Sequence, residues 1–171
     1  MSLQKSKKLR AGMLGALMAF SSIAGVASTA AAQPLLPEAV PEVVPAKGDG
    51  GRWIEYNVNT YCLDLHDGGS VVFHTCQTAN GKSGHATPTG NFKVYKKAAG
   101  PICMHPPGDK EVCGIHYATY WGRGGYAFHE AYWMGGRVQQ RISHGCVNMR
   151  LADAKTVFNF ATNGMRVWVH G

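Results

Sequence analysis

Three hydrophobic patterns follow one another along the chain. The first is an apolar run from Ala11 to about Val26, set behind Lys5, Lys7, Lys8 and Arg10 and ending in the small residues Ala30-Ala31-Ala32. Basic, apolar and small residues in that order describe a secretory signal peptide (residues 1–32) cleaved after Ala32, with an uncleaved N-terminal anchor as the alternative. The second pattern, residues 33–51, reads QPLLPEAVPEVVPAKGDGG, and its four prolines break both strand alternation and helical period. An extended, stiff linker is expected there. The third pattern fills residues 52–171: short runs rich in Val, Tyr, Phe, Trp and Thr, punctuated by Asp-Gly-Gly, Asn-Gly, Thr-Gly and Pro-Pro-Gly-Asp. It predicts one mainly β domain.

Within that domain, Trp53 to Leu65 and Ser70 to Thr78 flank His66-Asp67-Gly68-Gly69, whose glycines supply the positive φ of a tight hairpin. One strong helix is predicted, Leu151 to Thr162, with Asn163-Gly164 as its C-cap. A strand over Met165 to His170 closes the chain.

Composition narrows the classes. The chain has 171 residues, 45% of them apolar, which is enough for a core and excludes a disordered chain. Its net charge of +7 suggests nucleic acid, but four of the 17 basic residues and none of the 10 acidic ones lie in residues 1–32. The remainder carries 13 basic against 10 acidic side chains, a net of +3, and no nucleic-acid partner is expected. The leader places the domain outside the cytoplasm, in a periplasm or at a cell wall.

Five cysteines in an exported chain imply two bridges and one free thiol. Cys62 and Cys76 fall on the two arms of the first hairpin, opposite each other if the turn takes three residues. Cys103 and Cys113 flank the turn Pro106-Pro107-Gly108-Asp109. Four cysteines allow three connectivities, and spacing alone does not choose among them. The local scheme leaves Cys146 free.

Cys146 sits in Arg141-Ile142-Ser143-His144-Gly145-Cys146-Val147-Asn148-Met149-Arg150, just ahead of the predicted helix. A helix N-terminus and a nearby imidazole would favour the thiolate, and the glycine lets backbone amides turn toward a bound carbonyl. Upstream, Gly124 to Glu130 reads as a short strand that presents His129 as a general base. His85 to Phe92 forms a Thr- and Pro-rich loop fit to wall a groove.

These residues resemble the L,D-transpeptidase catalytic domain, which remodels bacterial peptidoglycan. The family signature is a histidine, a spacer of about fourteen residues, then Ser or Thr, His, Gly, Cys, an apolar residue, and Asn or Arg. Here His129 is followed by thirteen residues and then Ser143-His144-Gly145-Cys146-Val147-Asn148. The family's Thr-Pro-Thr-Gly-x-Phe appears as Thr87 to Phe92, and its aromatic strand as Tyr117 to Trp121. The resemblance covers Trp53 to Gly171 and implies an L,D-transpeptidase-like β-sandwich with one or two short helices.

It also implies roles. Cys146 would be the nucleophile and His129 the base, oriented by the backbone carbonyl of Glu130. The amides of His144, Gly145 and Cys146 would form the oxyanion hole, worth about 3 kcal/mol per donor. Ser143, Asn148, Arg150, Tyr117, Trp121 and His85 are the candidate substrate-binding residues. The implied partners are peptidoglycan stem peptides, with a carbapenem as covalent inhibitor. No metal or organic cofactor is expected, and the domain is expected to act as a monomer. Two other readings compete: a zinc site of His129, His144 and Cys146, and a wall-binding module without chemistry. Within the enzyme class, cross-linking, trimming of stems and attachment of a protein to the wall share the same thiol.

Overall fold

The computed structural model describes residues 51–171, so the expected leader and most of the linker lie outside the described residues. Twelve strands run β1 Trp53–Asn57, β2 Cys62–Asp67, β3 Ser70–Thr75, β4 Thr78–Gly81, β5 Gly90–Ala98, β6 Ile102–Met104, β7 Val112–Ile115, β8 Ala118–Trp121, β9 Ala127–Glu130, β10 Arg141–Ser143, β11 Val147–Met149 and β12 Arg166–His170. One helix, α1, spans Leu151–Phe160, and a single 3₁₀ turn covers Tyr132–Met134. Among the described residues no helix is long and apolar enough to cross a membrane.

Ten strands form one curled sheet in the order β10-β4-β11-β9-β8-β5-β12-β1-β2-β3. The curl is organised along β5, whose first residues pair with β12 and whose last residues pair with β8 across a register shift between Val94 and Lys96. The two halves fold over each other: the ring of Tyr56 on β1 meets Phe128 on β9 edge-on at 6.1 Å, and its hydroxyl bonds Thr78 on β4 at 3.0 Å. Strand alternation supplies the core. Ile54, Tyr56, Leu63, Leu65, Val167 and Val169 are all at most 1% exposed, while the residues between them face outward. From α1, Ala154 and Val157 pack into the same core.

The first hairpin departs from the sequence expectation. Trp53 to Leu65 is two strands, because Tyr61 takes φ +60° in a turn before β2. The β2–β3 turn closes on Asp67 and Ser70 with Gly68 and Gly69 both at positive φ, a two-residue turn. A bulge then leaves Val72 unpaired, since Leu65 faces Phe73 while His66 faces Val71. That extra residue brings Cys62 opposite Cys76, and the two are bridged, as are Cys103 and Cys113 across the β6–β7 hairpin. Cys146 is the free cysteine.

The helix also ends earlier than Thr162. Ala161 is already extended, and Asn163-Gly164 instead forms the turn into β12, where the Met165 amide bonds the Thr162 carbonyl at 3.0 Å.

Candidate active site

β9 and β11 are parallel neighbours, with Asn148 in register with His129. Cys146 precedes β11 directly, so sheet pairing carries the thiol to the end of the strand that holds the histidine. Both open into one cleft of about 730 Å³. Its walls are His85 and Ala86, the Gly124–Tyr126 turn, the loop from Ser143 to Cys146 and the β6–β7 hairpin, which forms a flap.

His129 is 2% exposed, and its Nδ1 donates to the Glu130 carbonyl oxygen at 2.7 Å. That bond fixes the tautomer, leaving Nε2 as an acceptor. Burial holds the imidazole below its ordinary pKa, against the opposing pull of the Glu130 carbonyl and carboxylate, so it is a neutral base near pH 7. The Glu130 carboxylate turns away to the base of the flap, where it accepts the His116 amide at 3.1 Å.

Cys146 is half-buried, with its Sγ 4.0 Å from the Gly125 carbonyl oxygen. Burial pushes the thiol up to about 11, opposed by a backbone hydrogen bond from Ala127. The expected thiolate-favouring helix is not beside it, because β11 and Arg150 separate Cys146 from the start of α1. The resting pair is therefore a neutral thiol and a neutral imidazole.

The loop from Ser143 to Cys146 is braced from within. Ser143, 6% exposed, donates through Oγ to the Cys146 carbonyl at 2.6 Å and accepts the Gly145 amide at 3.1 Å. The Gly145 amide is therefore taken, while those of His144 and Cys146 have no acceptor among the described residues. Gly145 has φ +108°, and a Cβ there would lie 2.5 Å from Tyr126 Cε1. Thr87 ties the family-like Thr-Pro-Thr-Gly segment to this loop: its Oγ1 accepts the Gly81 amide and donates to the Gly145 carbonyl, both at 2.9 Å.

The other expected site residues divide. Ser143, His144, His85 and the buried Asn148 line the cleft, with the His85 and His144 rings 4.7 Å apart. Trp121 does not line it: it is fully buried among Phe92, Tyr126 and Phe128. Tyr117 packs on Phe158 at 5.6 Å. Arg150 is exposed at the helix N-cap, outside the cleft. Strand alternation on β8 points Trp121 into the core, Tyr117 packs against that same core, and the Arg150 side chain makes no cap hydrogen bond. His129, His144 and Cys146 form no group of converging metal ligands among the described residues.

Three cleft residues lack a local motif. Trp133, returned by the 3₁₀ turn, stands 6.0 Å from the His129 ring; four residues after the histidine, it is the one the sequence could have offered. Lys82 and Asp109 meet His144 only through the fold: Asp109 Oδ2 lies 3.2 Å from His144 Nε2 and 3.9 Å from Lys82 Nζ.

A mainly β fold that opens a free cysteine and a carbonyl-oriented histidine into one cleft offers the groups that cysteine–histidine enzymes use. Residues 51–169 match the L,D-transpeptidase catalytic domain family, and the chain belongs to that family. The fold is similar to an L,D-transpeptidase from Mycobacterium smegmatis, at 21% identity and TM-score 0.63 over 70% of this chain and 58% of that one. It is similar to L,D-transpeptidase 3 from Mycobacterium tuberculosis in complex with a faropenem-derived adduct, at 18% identity and TM-score 0.63 over 71% and 60%. The catalytic domain from the E. faecium L,D-transpeptidase gives 22% identity and TM-score 0.61 over 70% and 97%. The chain thus spans about three-fifths of the mycobacterial structures. No curated protein matches the sequence.

Proposed function

We propose that this domain transfers acyl groups on peptidoglycan stem peptides outside the cytoplasm, with Cys146 as nucleophile and His129 as base. The observation that carries the proposal is the His129 Nδ1 bond to the Glu130 carbonyl, which leaves Nε2 free at the cleft that Cys146 shares. As the sulfur attacks the carbonyl between the stem's third residue and its terminal D-Ala, Nε2 takes the thiol proton. The oxyanion that forms is met by the amides of His144 and Cys146. Collapse returns the proton to the departing D-Ala amine and leaves a thioester. An acceptor amine then attacks, passes its proton through His129 to the sulfur, and yields a 3→3 cross-link; water in its place yields a trimmed stem.

The cleft's charge supports such a donor. Lys82, His85, Lys110 and His144 line it with Asp109, a balance that suits a peptide bearing free carboxylates. The faropenem-derived adduct on the mycobacterial neighbour supports covalent capture by a β-lactam, and a carbapenem is the inhibitor expected here.

Intact-mass measurement after incubation with a disaccharide-tetrapeptide, or with a carbapenem, tests this. An adduct on the native chain and none on Cys146→Ala is the expected result, and the soluble products separate cross-linking from trimming. A folded, thiol-reduced protein that takes up neither compound leaves the wall-binding reading.

A further inference from the structure

A second cluster of chemically active side chains lies on the outer face of the sheet, and none of its residues lines the cleft. Alternation along β1, β2 and β12 turns Trp53, Glu55, Asp64, His66, Trp168 and His170 to that face. Register sets Glu55 directly opposite Asp64 on one side and Trp168 on the other, with Trp53 opposite His66. Each group is held. The His66 ring stacks on Trp53 at 3.8 Å and 9° while its Nε2 reaches Glu55 Oε2 at 2.9 Å. His170 stacks on Trp168 at 3.9 Å and holds the other Glu55 oxygen at 2.9 Å. His74 Nδ1 holds Asp64 Oδ1 at 2.5 Å.

We propose that Glu55, Asp64 and His66 form a binding site for a first-row divalent cation of the zinc type, with His170 and His74 supporting its two carboxylates from the outer sphere. The donor atoms of the three lie within 4.8 Å of one another. Ligands at bond lengths of about 2.1 Å stand roughly 3 Å apart, so the Glu55–His66 spacing already fits a coordination edge. One imidazole nitrogen with two carboxylates suits a borderline cation, and the partly exposed side leaves positions for water. Carboxylates facing each other on neighbouring strands repel, and a divalent ion between them removes that cost. Every ligand is oriented by a further contact, the arrangement that metal sites use to fix ring and carboxylate orientation. The other two groups with ligand spacing, Cys62-His74-Cys76 and Cys103-Glu111-Cys113, have their sulfurs committed to disulfides.

The test is calorimetric titration of zinc chloride into the chelator-treated full chain, disulfides intact, in a Cys146→Ser background that removes the free thiol. One equivalent should bind and raise Tm. His66→Gln and Asp64→Asn should each weaken binding at least tenfold, and His170→Gln by about tenfold. His105→Gln, on an exposed pair of the flap, should leave it unchanged. If His66→Gln fails to fold, Asp64→Asn and His74→Gln carry the comparison. Absence of binding at about 1 mM zinc, or an isotherm indifferent to Asp64→Asn and His66→Gln, overturns the site. The acylation adduct of the native chain reads separately on the proposed reaction.

Discussion

Asp109, at the tip of the flap, pairs with His144 of the Ser143–Cys146 loop at 3.2 Å. The Asp109 amide also closes the flap's turn on the Pro106 carbonyl at 3.2 Å, with Gly108 at φ +75°. One carboxylate thereby fastens a hairpin, stapled by its own disulfide, across the cleft that holds Cys146. Both partners are partly exposed, so the pair adds little to stability and acts through geometry.

Replacing Asp109 with Ala should therefore leave Tm within about 2 °C and lower kcat/KM for stem peptides by roughly three- to tenfold, mainly through KM. Steady-state kinetics beside a melting curve separates the two effects. A large drop in Tm would show that the latch is part of the fold.

The loop glycine makes a sharper case. A methyl group at residue 145 meets Tyr126 at 2.5 Å on a backbone that L side chains rarely adopt, so the loop must move. Misplacing one oxyanion donor costs about 10²- to 10³-fold in rate. Gly145→Ala should lose acylation by at least about 10²-fold while the far-ultraviolet spectrum stays native.

Thr87 offers the reverse, a residue that acts only by holding others. Thr87→Val strands a buried amide on Gly81 and a carbonyl on Gly145, at about 1–3 kcal/mol each. Thr87→Ser restores both bonds, and it should recover most of the stability and activity that Thr87→Val loses in denaturant unfolding and acylation assays.

The pH dependence follows from two opposite displacements. The Cys146 thiol lies up at about 11, so little thiolate exists at neutrality. His129 is held below 6.5, so the base is in its active form at pH 7 and is lost only when pH falls further. Acylation should have an acid limb below 6.5 governed by His129. Alkylation by iodoacetamide in His129→Ala should climb steadily with pH toward 11. A rate in that variant that levels off near pH 7 would show the thiol to be far more acidic than its burial implies.

Two bridges closing loops of 14 and 10 residues should each contribute about 2 to 4 kcal/mol. Thiol titration of the denatured full chain should count one thiol before reduction and five after. Reduction should lower the denaturant midpoint.

The cysteine and histidine of the cleft are legible because their spacing is local: Ser143 to Asn148 span the short connection from β10 into β11, and His129 stands next to the end of one short strand. Trp121 and Tyr117 are misleading for a physical reason. The aromatic stretch ahead of His129 has two faces, and only the sheet's curl decides which one meets the core. Asp109, Lys82 and the Glu55–Asp64–His66 cluster carry no motif at all. Their partners come from loops or strands paired through register, and register depends on turns and bulges that composition does not reveal.

Val72 shows how much one unpaired residue can decide. With the same two-residue turn and no bulge, Cys62 would stand across from Thr75, and Cys76 would project from the opposite face of the ribbon. In a chain shortened by that single valine a regular ladder would itself set Cys62 across from Cys76, so the bulge is what reconciles the extra residue with the covalent bond. The interval between the two sulfurs thus works as a phase code, in which the turn and the bulge are read together.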